Sequence, residues 1–475
     1  MLSMWTWIRS WVQFLGSSQQ LSKEHEEGSL SKENGERVIA ATFSSLNLFD
    51  PERQERSWTE TWHVCSKWLQ PLNQDSEFWW QATGPALAIM LSQAGYSIHA
   101  QYSSLLFHQQ MVIPSLGPRP SSQGAPHKWR SFMTDDFSPL EYSWSWDARG
   151  HPKIRYSIEA IGPDAGTVVD PFNRAQTMVL INQLREALPE TNWQWFHHFA
   201  DTFHEDEDMD YRDVSHGRGC SNQSSIFLAF ELDGLKVAVK AYFIPIKSAQ
   251  TGEAPLATVT QAIERLEYPG DSITAHKDLH DFMLHNPSGT SLQIVGLSVD
   301  CVDPCKSRLK YYVRSPYTSF SSVCTVLTLD DKIHSVKAHN GLETLRKLWQ
   351  LVFGLEDGFS PDKELASKEH ETAGILYNFD IRPGVSSPEP KIYLPVRHYG
   401  RSDQHIAQGI TEFLRQHGGQ QFVASYLTML ESLCDHRALD SGCGLQTYIS
   451  CTVKEGQLSL ASYIGPEIYH PARWK

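Results

Sequence analysis

The chain has 475 residues, of which 40% are hydrophobic, and carries 41 lysine and arginine residues against 55 aspartate and glutamate residues, a formal charge of −14 at pH 7. This length allows a large core in two or three domains or in one large barrel. A negative net charge opposes binding to nucleic acid or to an anionic membrane, so we expect no nucleic-acid partner. A cationic strand face in such a chain indicates a local anion site.

The spacing of the cysteines and the composition of the N-terminus indicate the cellular compartment of the protein. The 8 cysteines contain no CxxC pair, and Cys301 and Cys305 lack further ligands at zinc spacing. We therefore expect a reduced, cytoplasmic protein without structural metal. Residues 1–18 lack a basic start and carry Arg9 in their middle, which fits neither a signal peptide nor a membrane span. Because residues 19–37 are polar and charged, we predict a flexible extension at 1–40 and one barrel domain at 41–475.

Helical periodicity begins near Trp58 and covers 58–69 and 77–91, where Gly95 can end the second helix. After a loop at 113–118, helical patterns at 177–188, 193–203, 256–266, 342–353, 405–417 and 421–434 alternate with predicted strands. The strands form five pairs, 141–146 with 153–161, 226–232 with 236–244, 292–301 with 308–315, 374–381 with 391–396, and 446–454 with 457–463. Asp233-Gly234 joins the second pair and is a strong hairpin signal.

Hairpins that alternate regularly with helices indicate a repeated helix-strand-strand-helix unit. We therefore predict an α+β fold in which ten antiparallel strands close into a barrel that is ringed by helices. Closure removes every sheet edge and leaves a lumen, into which the polar strand face points.

Cations recur on the predicted inner face. In 308–315, alternation places Arg308, Lys310, Tyr312 and Arg314 on one side and Leu309, Tyr311 and Val313 on the other. The inward-facing cations are Arg155, Lys240, Arg308, Lys310 and Lys454, with Lys391 as a further candidate. Such a cluster requires an anion of high charge, and diphosphate suits arginine and lysine. The alternative for each cation is solvation or a carboxylate partner. Arg314 is left unassigned, and solvation at the rim is the simplest explanation for it.

Tyrosines share this parity at Tyr242, Tyr312, Tyr393, Tyr448 and Tyr463. A ring face stabilises a cation by about 0.5 to 2 kcal/mol, so rings beside an anion site suit an allylic diphosphate that ionises; each ring could instead only pack. Glu141 alternates with Tyr142, Trp144 and Trp146 and should enter the lumen. There it could accept a hydrogen bond from an aromatic acceptor and later its proton, or else pair with Arg155.

Magnesium motifs are missing from the sequence. Asp135-Asp136 is followed by Phe137-Ser138-Pro139, so no DDxxD occurs, and there is no P-loop or GxGxxG. The acidic run at 205–208 lies among polar residues and indicates a solvated loop. Lysine and arginine thus take the place of a metal, and we expect no cofactor.

This pattern resembles the fungal aromatic prenyltransferases of the dimethylallyltryptophan synthase family. The matching segments are Phe78-Trp79-Trp80, Ile113-Pro114-Ser115-Leu116-Gly117-Pro118, Trp129-Arg130, Pro139-Leu140-Glu141, Arg155 with Ile158-Glu159, Gly166-Thr167 with Asp170-Pro171-Phe172-Asn173, Lys240-Ala241-Tyr242-Phe243, Arg308-Leu309-Lys310-Tyr311-Tyr312 and Tyr393-Leu394-Pro395-Val396. The matches extend over nearly the whole predicted barrel.

The resemblance implies metal-independent transfer of a dimethylallyl group from its diphosphate to an aromatic acceptor in secondary metabolism. It implies that the five cations bind diphosphate, that the five tyrosines shield the carbocation and that Glu141 orients the acceptor. Ile244 stands where some members have another shield tyrosine, Lys454 where some have arginine and Lys391 where some have glutamine. The oligomeric state stays open, with a homodimer as one expectation.

The acceptor is the least determined part of this interpretation. No lysine occurs in 225–230, where tryptophan-specific members can place a base, and 140–144 and 195–198 look more like the members acting on fused-ring polyketides. An indole acceptor, such as tryptophan or a cyclic dipeptide, is the alternative. A non-catalytic carrier barrel is a different class, although a carrier has little use for Glu141. The missing aspartate motif disfavours a metal-dependent terpene cyclase.

Overall fold

The computed structural model describes residues 59–126, 129–146, 152–204, 224–266, 275–335, 340–454 and 457–474. The predicted division of the chain at residue 40 lies outside these ranges and stays a prediction. Within them, strand and helix assignments cover nearly every segment that was predicted from the sequence.

Ten antiparallel strands form a closed barrel in the order β1-β10-β9-β8-β7-β6-β5-β4-β3-β2. They are β1 Leu140–Trp146, β2 Lys153–Ile158, β3 Ile226–Asp233, β4 Lys236–Phe243, β5 Gln293–Asp300, β6 Leu309–Ser315, β7 Ile375–Ile381, β8 Glu389–Leu394, β9 Gln446–Lys454 and β10 Gln457–Ile464. Consecutive strands pair as five hairpins, and β1 pairs with β10 to close the sheet. This confirms the predicted α+β barrel.

Helices surround the strands. Those described are α1 Glu60–Trp68, α2 Gln74–Gln93, α3 Ile98–Phe107, α4 Ala175–Ala187, α5 Gln194–Thr202, α6 Lys247–Thr251, α7 Pro255–Glu264, α8 His276–His285, α9 Phe320–Thr328, α10 Gly341–Phe353, α11 Val396–Tyr399, α12 Asp403–Gln416 and α13 Val423–Leu433. Five of these helices, α3, α6, α8, α9 and α11, were not predicted from the sequence, and α6 and α11 are single turns. None of the helices in the described ranges is long and apolar enough to cross a membrane.

Local capping explains where two of the long helices begin. The Asn73 Oδ1 accepts the Ser76 N–H at 2.8 Å and starts α2, with Asp75 and Glu77 in its first turn. The Ser402 Oγ accepts the His405 N–H at 3.2 Å and starts α12 in the same way. Both helices then bury their apolar residues in the main core.

The two faces of the barrel differ as alternation predicts. Leu309, Tyr311 and Val313 of β6 belong to the large core between strands and helices, whereas Tyr312 belongs to a separate cluster with other tyrosines. On β1 the fully buried Trp144 ring lies 6.1 Å from the Tyr426 ring of α13. Since the apolar face packs outward on helices, the polar face is left to line the lumen.

Several strand boundaries differ from the prediction by one to three residues, and two of them have a clear local cause. The second hairpin turns at Gly234-Leu235, one residue later than expected, with Gly234 at φ +61°, a conformation that glycine adopts without steric cost. Strand β8 begins at Glu389 and ends at Leu394. Because Pro395 has no N–H for the sheet, the chain leaves the barrel there and Val396 starts the short helix α11.

Candidate active site

Cations and carboxylates oppose one another at one end of the lumen. The barrel register places Arg155 opposite Glu231, Lys240 opposite Asp300, and Lys310 opposite Asp380. Each of these pairs comes from adjacent strands of different hairpins. The predicted cations Arg155, Lys240, Arg308 and Lys310 are therefore brought together, in a site that also contains three acids.

Asp300 and Asp380 hold the cations of β6. The Arg308 Nε lies 2.6 Å from the Asp300 Oδ2, and its Nη1 lies 2.6 Å from the Asp380 Oδ2. The Lys310 Nζ donates to the Asp300 Oδ1 at 2.8 Å. One carboxylate, that of Asp300, thus bridges both cations, and the predicted alternative of carboxylate pairing holds for them.

Glu231 of β3 bridges two cations in the same way, one from β2 and one from β4. Its Oε2 lies 3.1 Å from the Arg155 Nε and accepts a hydrogen bond from the Lys240 Nζ at 2.8 Å. Burial raises the pKa of Glu231, but Arg155, Lys240 and Lys153 outweigh burial and lower that pKa to about 2. Glu231, Asp300 and Asp380 were not predicted as site residues, although their inward parity on β3, β5 and β7 was a usable signal in the sequence.

Lys391 differs from the other lumen cations. Its Nζ lies 5.3 Å from the centre of the Tyr393 ring, its neighbour across the sheet is the neutral Asn378, and it forms no ion pair with a described carboxylate. Burial, followed by Arg155, Lys240 and Lys310, lowers the pKa of Lys391 to about 7. Lys391 therefore loses its positive charge more readily than Lys310, whose pKa is lowered to about 8.

Burial also lowers the pKa of Lys310, to about 8, with Asp300 acting in the opposite direction and Lys240 and Arg308 adding to the decrease. A nearby anion stabilises the protonated form of such an amine and so raises its pKa again. Lys454 lies on β9, but its side chain is outside the described residues, so its assignment to this cluster stays a prediction.

The five predicted tyrosines gather in the middle of the lumen. The Tyr312 and Tyr393 rings are 6.0 Å apart, and each of the other three lies within 6.3 Å of one of them. The remaining pairs are Tyr242 with Tyr312 at 5.9 Å, Tyr393 with Tyr463 at 5.6 Å and Tyr393 with Tyr448 at 6.3 Å. Asn378, which was not predicted as a site residue, donates hydrogen bonds to the hydroxyls of Tyr312 at 3.2 Å and Tyr393 at 3.0 Å and so orients both rings.

Glu141 lies towards the other end of the lumen. Its Oε1 accepts a hydrogen bond from the Thr447 Oγ1 at 2.6 Å, and Arg155, its predicted alternative partner, pairs with Glu231 instead. Burial raises the pKa of Glu141 to about 7, while Thr447 and Arg397 oppose the shift and Asp135 adds to it. A carboxyl group with this pKa can both accept and release a proton near neutral pH.

A polar network that the sequence did not indicate surrounds this end. The Arg397 guanidinium lies 2.9 Å from the Asp135 Oδ2, donates to the Tyr448 hydroxyl at 3.0 Å and stacks 4.6 Å from the centre of that ring. A cleft of about 220 Å³ adjoins it, and Asp135 and His370 are among the lining residues. The chain therefore offers an opening and hydrogen-bonding groups on the Glu141 side of the tyrosines.

Asp135, His370 and His398 place potential metal ligands within 4.8 Å of one another. However, the Thr372 Oγ1 lies 3.1 Å from Asp135, 2.8 Å from His370 and 2.7 Å from His398, where an ion would sit. The Arg397 cation also pairs with Asp135. These residues therefore serve a hydrogen-bond network better than a metal.

A second group of potential metal ligands consists of Cys434, His436 and Glu467. In this group, the Arg437 Nη2 forms an ion pair with the Glu467 Oε2 at 2.9 Å. An arginine in direct contact with the carboxylate opposes binding of a further cation. This group ties the C-terminal segment to the loop after α13 and lies on no lumen-facing strand.

A barrel with cations at one end, tyrosine rings in its middle and a carboxyl group beyond them defines an aromatic prenyltransferase. The described fold matches the crystal structure of AnaPT from Neosartorya fischeri with a TM-score of 0.75 and 25% identity, over 86% of this chain and 97% of that one.

The sequence comparisons agree with this class. The model of the family described as tryptophan dimethylallyltransferase matches residues 75–429, and the chain belongs to this family. It is 36% identical to the 4-O-dimethylallyl-L-tyrosine synthase of Claviceps purpurea, over 82% of this chain and 88% of that protein. It is 34% identical to xanthone prenyltransferase A of Emericella nidulans, over 85% and 95% respectively.

We expect Glu231→Gln to destabilise the protein by about 3 kcal/mol at pH 7, because two partly buried cations lose their counter-charge. The folded pKa of about 2 lies below the ordinary value of 4.5, so the stabilisation is complete above pH 4.5 and is lost as the pH falls towards 2. Urea unfolding at several pH values should therefore show the deficit shrinking in acid. The half-exposed Glu412→Gln is the control, and an equal deficit at all pH values would contradict the assignment.

Proposed function

We propose that this protein transfers a dimethylallyl group from dimethylallyl diphosphate to an aromatic secondary metabolite, with a fused-ring polyketide as the favoured acceptor. The observation that carries the proposal is the order of groups along the lumen. Cations lie at one end, the tyrosine cluster lies in the middle and Glu141 lies towards the other end. This order matches the charges of a leaving diphosphate, an allyl cation and a departing proton.

The cationic end suits the diphosphate. Arg155, Lys240, Arg308 and Lys310 are already gathered by three carboxylates, so little reorganisation is needed when phosphate oxygens replace some of these contacts. A bound diphosphate would raise the pKa of Lys391 and so keep its amine protonated, because a neighbouring polyanion favours the charged amine. As the allylic C–O bond breaks, the diphosphate leaves with the electron pair and these cations stabilise the added charge.

The tyrosine cluster suits the allyl cation. Ring faces stabilise a cation without forming a bond to it. Burial, as the largest of its causes, raises the pKa of Tyr463 to about 12, so its hydroxyl stays neutral and is a poor nucleophile towards the cation. The close packing of five rings would also keep water away from the intermediate.

Glu141 would orient the acceptor and take up its proton. In carbon alkylation, the acceptor ring forms the new C–C bond and the proton on that carbon passes to the Glu141 carboxylate. In oxygen alkylation, the hydroxyl proton takes the same route. Thr447 holds one carboxylate oxygen at 2.6 Å and leaves the other available.

Several observations support an acceptor other than free tryptophan. The relatives compared above have names that refer to tyrosine and to xanthones, and the second of these is a fused-ring aromatic. The partly buried side chains that pack on the tyrosine cluster include Val295 and Leu376, which suit an apolar ring system. An indole acceptor remains the alternative, because the family as a whole is named for tryptophan.

The proposal is tested by incubating the protein with dimethylallyl diphosphate and a panel of indoles, cyclic dipeptides and hydroxylated fused-ring aromatics, followed by mass spectrometry. We expect products heavier by one dimethylallyl group, most abundantly from the fused-ring phenols. Tight diphosphate binding without any product would instead support a carrier barrel. A predicted homodimer is checked on the same sample by light scattering.

We expect turnover to be retained in excess EDTA, because lysine and arginine supply the positive charge that magnesium would otherwise bring to the diphosphate. The measurement is the initial rate with and without the chelator, after exhaustive dialysis. Complete and reversible loss of the rate would show that the cationic cluster is insufficient.

Replacing Glu141 by glutamine should lower kcat by roughly 10² to 10⁴-fold, the usual contribution of a general base, while the affinity for inorganic diphosphate stays unchanged. In the parent protein, kcat/KM for the acceptor should rise with pH up to about 7, the pKa at which Glu141 becomes ionised, and then level off. This limb should vanish in the variant. An unchanged pH profile or full activity in Glu141→Gln would remove the assigned role.

A further inference from the structure

Arg314 is a buried cation without a described acidic partner. Its side chain lies on the lumen face of β6 and is only 7% exposed, so the solvated position expected from the sequence is wrong. Its Nη1 donates to the backbone carbonyls of Thr372 and Ala373 and lies 3.5 Å from the Tyr448 hydroxyl. No carboxylate of the described residues forms an ion pair with it. A buried guanidinium with neutral partners alone leaves positive charge uncompensated.

The position of Arg314 places this charge away from the diphosphate cluster. Arg308 directly precedes β6 and Arg314 lies near its end, with Tyr312 between them, and six residues of extended chain span about 20 Å. Gln293 and Leu376 are the neighbours of Arg314 across the sheet, and Leu376 packs on the tyrosine cluster. The tyrosine cluster therefore lies between the two arginines, and Arg314 is on the acceptor side.

A second guanidinium lies beside it. The Tyr448 hydroxyl is 3.5 Å from the Arg314 Nη1 and 3.0 Å from the Arg397 Nη2, so one phenol contacts both. Arg397 is balanced by Asp135 at 2.9 Å, whereas Arg314 is not. Burial, followed by Arg397, lowers the pKa of the nearby His398 to about 4, so that imidazole adds no charge at neutral pH. Of the two arginines at the acceptor end, Arg397 is in direct contact with a carboxylate, whereas Arg314 contacts none among the described residues.

We propose that Arg314, assisted by Arg397, binds an anionic oxygen of the acceptor, so that the acceptor is an aromatic acid or an ionised phenol. The site would fix the acidic oxygen near Tyr448 while Glu141 contacts the proton that is to be removed. This inference rests on the proposed function and specifies its acceptor. It also accounts for a buried arginine that the diphosphate does not require.

The test uses 3-hydroxy-2-naphthoate and its neutral methyl ester, two fused-ring phenols that differ by one negative charge. Binding of each is measured by calorimetry to the full chain saturated with inorganic diphosphate. The parent protein should bind the acid at least about tenfold more tightly than the ester, the usual effect of a charge-assisted hydrogen bond. Arg314→Met should abolish this preference, and Arg314→Lys should restore part of it.

The controls separate this inference from the proposed function. Arg415→Met removes the same charge from the outer surface of α12 and should change neither affinity. If diphosphate does not bind the parent protein, the proposed function fails. If diphosphate binds but the acid and the ester bind equally, or if Arg314→Met keeps the preference for the acid, the second anion site is overturned alone. A general loss of packing in Arg314→Met would weaken both ligands and leave their ratio unchanged, which also counts against the site.

Discussion

The opposition of cations and carboxylates inside the barrel is the constraint on which the site depends. Arg155, Lys240 and Lys310 each face an acid on the adjacent strand. Four unpaired cationic side chains would repel one another in the poorly solvated lumen, whereas three carboxylates that bridge them hold the same cations in place. The carboxylates offset the repulsion among the cations, and four positive charges against three negative ones leave an excess that attracts a polyanion.

The tyrosine cluster divides the lumen chemically. On one side the groups suit an anion of high charge, and on the other Glu141, Thr447 and Arg397 offer hydrogen bonds to a neutral or singly charged molecule. Since Asn378 bonds two of the hydroxyls, the rings form a fixed layer rather than a set of independent side chains. Donor and acceptor would then meet only at this layer, where water is scarce.

The same physical effect, burial, gives the two ends opposite properties. It lowers the pKa of Lys391 and Lys310 towards neutrality, because an amine loses solvation when charged. It raises the pKa of Glu141 to about 7, because a carboxylate loses solvation as well. The protein therefore gains groups that respond to a ligand's charge at one end and a group that can exchange a proton at the other.

The sequence by itself determined the ten strands, eight of the thirteen described helices and the face on which each strand side chain lies, since alternation along a strand is a local property with a period of two residues. It thereby placed the cations of β6, the five tyrosines and Glu141 in the lumen. Only the tertiary structure decided their partners, because register and barrel closure join residues far apart in the chain. Arg308 meets Asp380 72 positions away, and Glu141 meets Thr447 across 306 positions. Arg314 shows the same limit: its parity was evident, but its burial followed from the segments that the closed barrel brings over it.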